Sequence, residues 1–267
     1  MTSTFSFSRL GKLITKQLFE NSRLYIFSVL ALFGLLALIF AFWIGADGPT
    51  YAEEATYVIF IFGLFIAGSI FASMAFNMLG SKDKGIYWLS VPATHLEKLI
   101  CTIFYSIILF TIVYCLCFYI VKSISIAFLQ NYIKTHPGNS YSPMKDFEHG
   151  FGAAIKYFIY AYFAIQSLYL LGSVYFSRYS FVVTTVVGAL LVFAFAFYIS
   201  SIHDNMFTGI RGWDMISIRK ADDSVDNGYF LYSVSPTVAK IFKYTVQFAW
   251  APLFWIVTWF RLREKQI

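Results

Sequence analysis

Six stretches of this chain, residues 24–44, 57–79, 99–121, 157–176, 181–202 and 244–260, contain no Lys, Arg, Asp or Glu. Each is long enough, as a helix, to cross a hydrocarbon core about 30 Å thick. In lipid, a helix is the open-ended element that satisfies all its own backbone hydrogen bonds. The sequence therefore predicts an all-α polytopic membrane protein with six transmembrane helices, one bundle over residues 1–267. Charged residues make up only 13% of the chain, against about 25% in soluble domains. Six spans and their connections leave no room in 267 residues for a nucleotide-binding domain.

Basic residues set the expected orientation. With the N-terminus inside, short inner segments hold Arg9, Lys12, Lys16, Arg23, Lys82, Lys84, Lys98, Arg178, Arg261, Arg263 and Lys265. Lys and Arg in short loops favour the cytoplasm, which predicts that both termini are cytoplasmic. The net charge of +6 follows from these flanking residues; without a basic surface cluster it does not indicate nucleic acid. No cleavable leader is expected, because the first apolar run starts only at Leu24 and is as long as a span.

Ahead of that run, Phe7, Leu10, Ile14 and Leu18 recur at spacings of three and four, with Arg9, Lys12, Lys16 and Glu20 on other faces. Residues 1–23 thus read as an amphipathic interfacial helix, its cations toward lipid headgroups and its apolar stripe toward the acyl boundary. Gly63, Ala67, Gly68 and Ala72 form small-x-x-x-small pairs in the second span, suited to close helix approach within the bundle or between subunits.

Little here supports catalysis. His95, His136, His149 and His203 fall in loops or at a span end, and no H-E-x-x-H or G-x-S-x-G occurs. Cys101, Cys115 and Cys117 sit in one apolar run without metal-ligand spacing and read as packing residues. The charge-free spans also lack the intramembrane ionisable groups used by proton- or sodium-coupled transporters. Neither a catalytic residue nor a metal or cofactor site is expected in this chain. Among the longer loops, residues 203–243 hold aromatic and β-branched pieces that suggest a small hairpin around an acidic turn at Asp222, Asp223, Asp226 and Gly228.

The polar loop at residues 80–98 is the most informative element. Thr94 and Glu97 have the T-x-x-E form of a capping box, in which each side chain satisfies a free backbone donor at a helix start. Upstream, Lys84 to Val91 is apolar enough to lie at an interface, and Pro92 disfavours helix at Val91. The expected order is a short helix, a turn and a new helix.

Lys82, Lys84, Gly85, Leu89, Pro92, Thr94, Glu97 and Lys98, in a segment joining the second and third spans, resemble the ABC-2 type permeases, membrane subunits of bacterial ATP-binding-cassette exporters. The six spans and amphipathic N-terminal helix are similar to that family as well. The resemblance implies that the loop is a coupling helix seated in a groove of a separate ATPase subunit, which binds ATP and Mg, and that the N-terminal helix is a connecting elbow. It places Tyr87, Trp88 and Leu89 at the apolar contact, Lys84, His95 and Glu97 near its polar rim, and Pro92 and Thr94 in the turn between helices. It also implies a homodimer, or a heterodimer with a related permease, exporting a hydrophobic, amphipathic or peptide-like substrate. One departure is the polar run from Arg211 to Gly228, where such exporters often carry apolar re-entrant helices; only residues 229–241 suit such an element. The alternative is a membrane scaffold, sensor or immunity protein acting through its outer loops.

Overall fold

The computed structural model describes residues 5–46, 50–136, 138–143, 151–176, 178–206, 210–214, 217–221, 229–233 and 235–264. An amphipathic helix α1 (Phe7–Glu20) leads through Asn21 into the long apolar helix α2 (Ser22–Ala46). A short strand β1 (Thr50–Ala52) precedes α3 (Glu54–Ser73), which gives way at Met74 to turns and a 3-10 helix over Asn77–Gly80. The α-helix thus ends six residues before the end of the apolar run at residue 79, where the Met74 and Ala75 N–H groups turn back to the Phe71 and Ala72 carbonyls and the Ser73 hydroxyl donates to the Ile70 carbonyl.

α4 (Lys82–Ser90) and α5 (His95–Ile103) follow, and α5 continues through a π-helical segment, Phe104–Leu109, into α6 (Phe110–Thr135). Around the π segment, Thr102, Ser106 and Thr111 hydroxyls donate to the carbonyls of Lys98, Thr102 and Ile107, a back-bonding pattern that loosens and bends helices. The whole rod runs 41 residues, about 60 Å at 1.5 Å per residue, twice the thickness of a hydrocarbon core. It extends fourteen residues beyond the charge-free run that ends at residue 121, so residues 122–135 are helix.

β2 (Ser140–Ser142) pairs in parallel with β1, Tyr51 opposite Tyr141. α7 (Phe151–Tyr175) and α8 (Ser180–Met206) complete the long apolar helices. Among the described residues, five helices are long and apolar enough to cross a membrane. The expected sixth span is divided into α9 (Pro236–Phe248) and α10 (Trp250–Glu264). Pro252 has no N–H to give the Phe248 carbonyl, and its ring crowds that carbonyl, which accounts for the break at Ala249. Between α8 and α9, strands β3 (Ile210–Asp214), β4 (Ser217–Ala221) and β5 (Tyr229–Ser233) form an antiparallel sheet, one strand more than a hairpin. Tyr229–Ser233 is therefore strand, not the start of a re-entrant helix, while the acidic turn at Asp222, Asp223, Asp226 and Gly228 lies outside the described residues, as do His149 and Lys265.

α7 is the central post, packed on α3, α8 and α10. Small residues permit these approaches: a Cβ on Gly68 would meet the Gln166 amide, and one on Gly172 would meet Thr184. Gly63 likewise admits the Tyr114 hydroxyl, which donates to the Phe60 carbonyl at 3.0 Å. At least Gly63 and Gly68 of the second-span stripe therefore serve packing inside one chain. At the end of the bundle opposite α4, Lys122 pairs with Glu53 at 2.8 Å and covers the Tyr57 ring at 4.5 Å, tying α6 to the start of α3.

Candidate functional site

The residues singled out in the polar loop converge with α1 on one carboxylate. The capping box forms: the Glu97 N–H donates to Thr94 Oγ1 at 3.1 Å, and the Thr94 N–H donates to Glu97 Oε2 at 2.8 Å. That reciprocal pair fixes where α5 begins. The second carboxylate oxygen reaches across to the N-terminal segment. Glu97 Oε1 accepts from the Ser6 N–H at 2.8 Å and from Arg9 Nη2 at 2.9 Å and Nε at 3.2 Å. Glu97 has no exposed surface, and its two oxygens take four donors, the arrangement a buried carboxylate requires.

Two further bonds hold α1 along the same helix. Tyr105 donates to the Ile14 carbonyl at 2.6 Å, and the Cys101 thiol donates to Gln17 Oε1 at 3.2 Å. The half-buried face of α1 includes Leu10, Leu13, Ile14 and Gln17, while Phe7, Leu18 and Phe19 are exposed. Its apolar stripe is thus shared between α5 and the surroundings. Arg9 is engaged by Glu97, whereas Lys12 is exposed.

α4 lies across this junction. Tyr87 donates to Glu20 Oε1 at 2.8 Å, and Lys16 sits 5.1 Å over its ring. Trp88 turns the other way: it meets Phe76 edge-on at 5.8 Å, and the Lys98 ammonium lies 4.7 Å over its ring while donating to its backbone carbonyl at 2.9 Å. Tyr87 and Trp88 therefore do different work, since Trp88 anchors α4 to the bundle while Tyr87, half exposed, joins Ile86 on the outer surface. Adjacent helix positions point about 100° apart, which sets Tyr87 and Trp88 on different faces of α4. Ile86, within the apolar stretch from Lys84 to Val91, shares the exposed surface with Tyr87. The Lys84 and Leu89 side chains lie outside the described residues; their backbones belong to α4. Pro92 is exposed in the turn before the Thr94 cap.

The rod's length places His95–Lys98, the polar first turn of α5, beyond the apolar run that starts at Leu99. Burial works to raise the Glu97 carboxyl, but the N–H groups of Thr94 and Ser6 together with Arg9 outweigh it and hold the group below the ordinary carboxylate range. Burial lowers the Lys98 ammonium. Burial, then the charges of Lys98 and Arg263, also lower His95, which leaves that ring neutral at pH 7. Its Nδ1 is buried without a hydrogen-bond partner among the described residues.

Nothing in this arrangement brings a nucleophile and a base together. Among the described residues no group of three His, Cys, Asp or Glu could hold a metal. What the geometry offers is mechanical: one buried carboxylate joins the N-terminal segment, the loop turn and a 41-residue helix. Comparison with family models, curated proteins and solved structures yields no match.

Proposed function

We propose that the chain is the permease subunit of an ATP-binding-cassette exporter, with α4 as the coupling helix and α1 as the elbow. In this reading the six-span count stands with α9 and α10 as one proline-broken crossing, and both termini are cytoplasmic in a bacterial inner membrane. The observation that carries the proposal is the junction at the start of α5, where Glu97 bonds Thr94 in the turn and Ser6 and Arg9 of the N-terminal segment, and the next residue, Lys98, bonds the Trp88 carbonyl of α4. A push on Ile86 and Tyr87 would be delivered through Trp88 and Lys98 into the rod. ATP and Mg belong to the separate ATPase subunit; the present chain converts its closure into movement of paired bundles, with a related or identical permease as the other half. The apolar helices, with hydroxyls as their main polar groups, suit a hydrophobic, amphipathic or peptide-like cargo.

The three-stranded sheet over Ile210–Ser233 favours a second reading, a scaffold, sensor or immunity protein that binds a partner through that loop. Copurification from the native membrane separates the two. An ATPase that accompanies the parent chain and is lost from an Ile86→Asp, Tyr87→Asp variant supports the exporter. A partner retained by that variant and lost when residues 210–233 are removed supports the scaffold.

A further inference from the structure

A cavity of about 420 Å³ lies between α1, the 3-10 turn after α3, α4 and the start of α5. That volume is within the range of small-molecule sites, roughly 300–1,000 Å³. Its charged lining is balanced: Lys16 and Lys98 supply two cations, Glu20 and Asp83 two carboxylates, with Lys16 and Glu20 paired at 3.6 Å along α1. Leu13, Met78 and Val91 supply apolar wall. Lys98 is buried and fixed by the Trp88 carbonyl and ring, so its ammonium is a stationary charge in the wall.

The cavity sits where an amphipathic helix meets the polar end of an apolar rod, the depth at which headgroups lie and Tyr and Trp concentrate. We propose that it seats the headgroup of a zwitterionic, amine-bearing phospholipid, the phosphodiester at Lys16 and Lys98 and the amine at Glu20 and Asp83. A purely anionic headgroup would satisfy the lysines and confront both carboxylates. A phosphate offers Lys98 a charge-assisted partner in a region of reduced dielectric, where such a bond is strongest. The apolar wall matches the glycerol esters and the first carbons of the acyl chains. Occupied, the lipid is a wedge between α1 and α4; Tyr87, which lines the cavity, also reaches the outer surface of α4.

The test is native mass spectrometry of the detergent-purified full chain, titrated with equal amounts of phosphatidylethanolamine and phosphatidylglycerol. The parent should retain phosphatidylethanolamine about tenfold over phosphatidylglycerol, the worth of one hydrogen bond to a charged group. Asp83, exposed in the first turn of α4, gives the decisive variant: Asp83→Lys should reverse the order, since the lining then holds three cations and one carboxylate. Asp83→Asn should reduce the preference without reversing it, and serves if the lysine variant is not monodisperse. Ala75→Phe, which fills the cavity, should abolish selective retention. Equal retention of both lipids by the parent, an unchanged preference in the folded Asp83 variants, or retention that survives Ala75→Phe would overturn the proposal. So would displacement by soluble phosphoethanolamine at equal concentration, which would make the ligand a free phosphate ester.

Discussion

Arg9 and Glu97, 88 residues apart in the chain, meet through two guanidinium nitrogens on one carboxylate oxygen, at 2.9 and 3.2 Å. The pair differs from a surface salt bridge because Glu97 is wholly buried and also accepts two backbone N–H groups. It is the point at which the N-terminal segment becomes part of the bundle.

Glu97→Gln should cost about 1.5–3 kcal/mol, the range for a hydrogen bond to a charged group, because the amide NH₂ would face Arg9 or a backbone donor. Thermal unfolding in detergent should show the loss, and limited proteolysis should cut first near Ser6. Arg9→Lys should fall between parent and Glu97→Gln, since an ammonium cannot reproduce the two guanidinium contacts.

The same junction has a pH signature. The folded Glu97 carboxyl titrates below the ordinary value of 4.5, so its contribution is full above that value and is lost as falling pH passes through the folded pKa. The stability gap between parent and Glu97→Gln should be constant from pH 8 down to about pH 5, still above the ordinary carboxylate value, and close in stronger acid. Melting curves across pH check this; a gap that closes between pH 8 and 6 would assign the effect elsewhere.

Trp88 and Ile86 should separate folding from docking. Trp88→Ala removes the contact with Phe76 and the ring beneath Lys98 and should destabilise by about 2–4 kcal/mol, somewhat under the value for a fully buried aromatic. Ile86→Asp, at an exposed position, should change stability by about 0.5 kcal/mol or less. Melting of both variants in the same detergent decides it.

Glu53 and Lys122 invite a double-mutant cycle. Both are largely covered and only 2.8 Å apart, so Lys122→Met should cost about 1–3 kcal/mol, and adding Glu53→Gln should return part of it because a carboxylate that has lost its cation is then removed. Additive losses would mean the two charges act separately.

Gly68→Ala should destabilise by about 1–3 kcal/mol through overpacking, since its methyl would meet Gln166, whose amide, oriented by its neighbours, bonds the Gly68 carbonyl and the Ser69 N–H. Gly34→Ala, at a position with open space, is the control and should be neutral or slightly stabilising.

The apolar runs were legible because absence of charge over twenty residues is a one-dimensional signal. The T-x-x-E cap was legible because its partners are three residues apart. Beyond that cap, nothing local gives Glu97 its other partners: Ser6 and Arg9 reach it across some ninety residues, and only the packed structure brings them together. Trp88 illustrates a second limit, since helix phase, not composition, decides which neighbour of Tyr87 turns inward. Pro252 was visible inside the last apolar run, yet its consequence, two helices in place of one, depends on backbone geometry that hydropathy ignores. The extension of α6 to Thr135 follows from helix-compatible residues beyond Lys122 whose charge neighbour, Glu53, is supplied by another element.

The central claim is that the Ile86 and Tyr87 surface of α4 docks on an ATPase. A photoactivatable amino acid at position 86, with position 88, whose side chain turns toward Phe76, as the inward-facing control, can be irradiated in native membranes and its adducts identified by mass spectrometry. The account predicts an adduct with an ATP-binding-cassette ATPase from position 86 and none from position 88. A folded, abundant chain that gives no ATPase adduct from position 86 would contradict it.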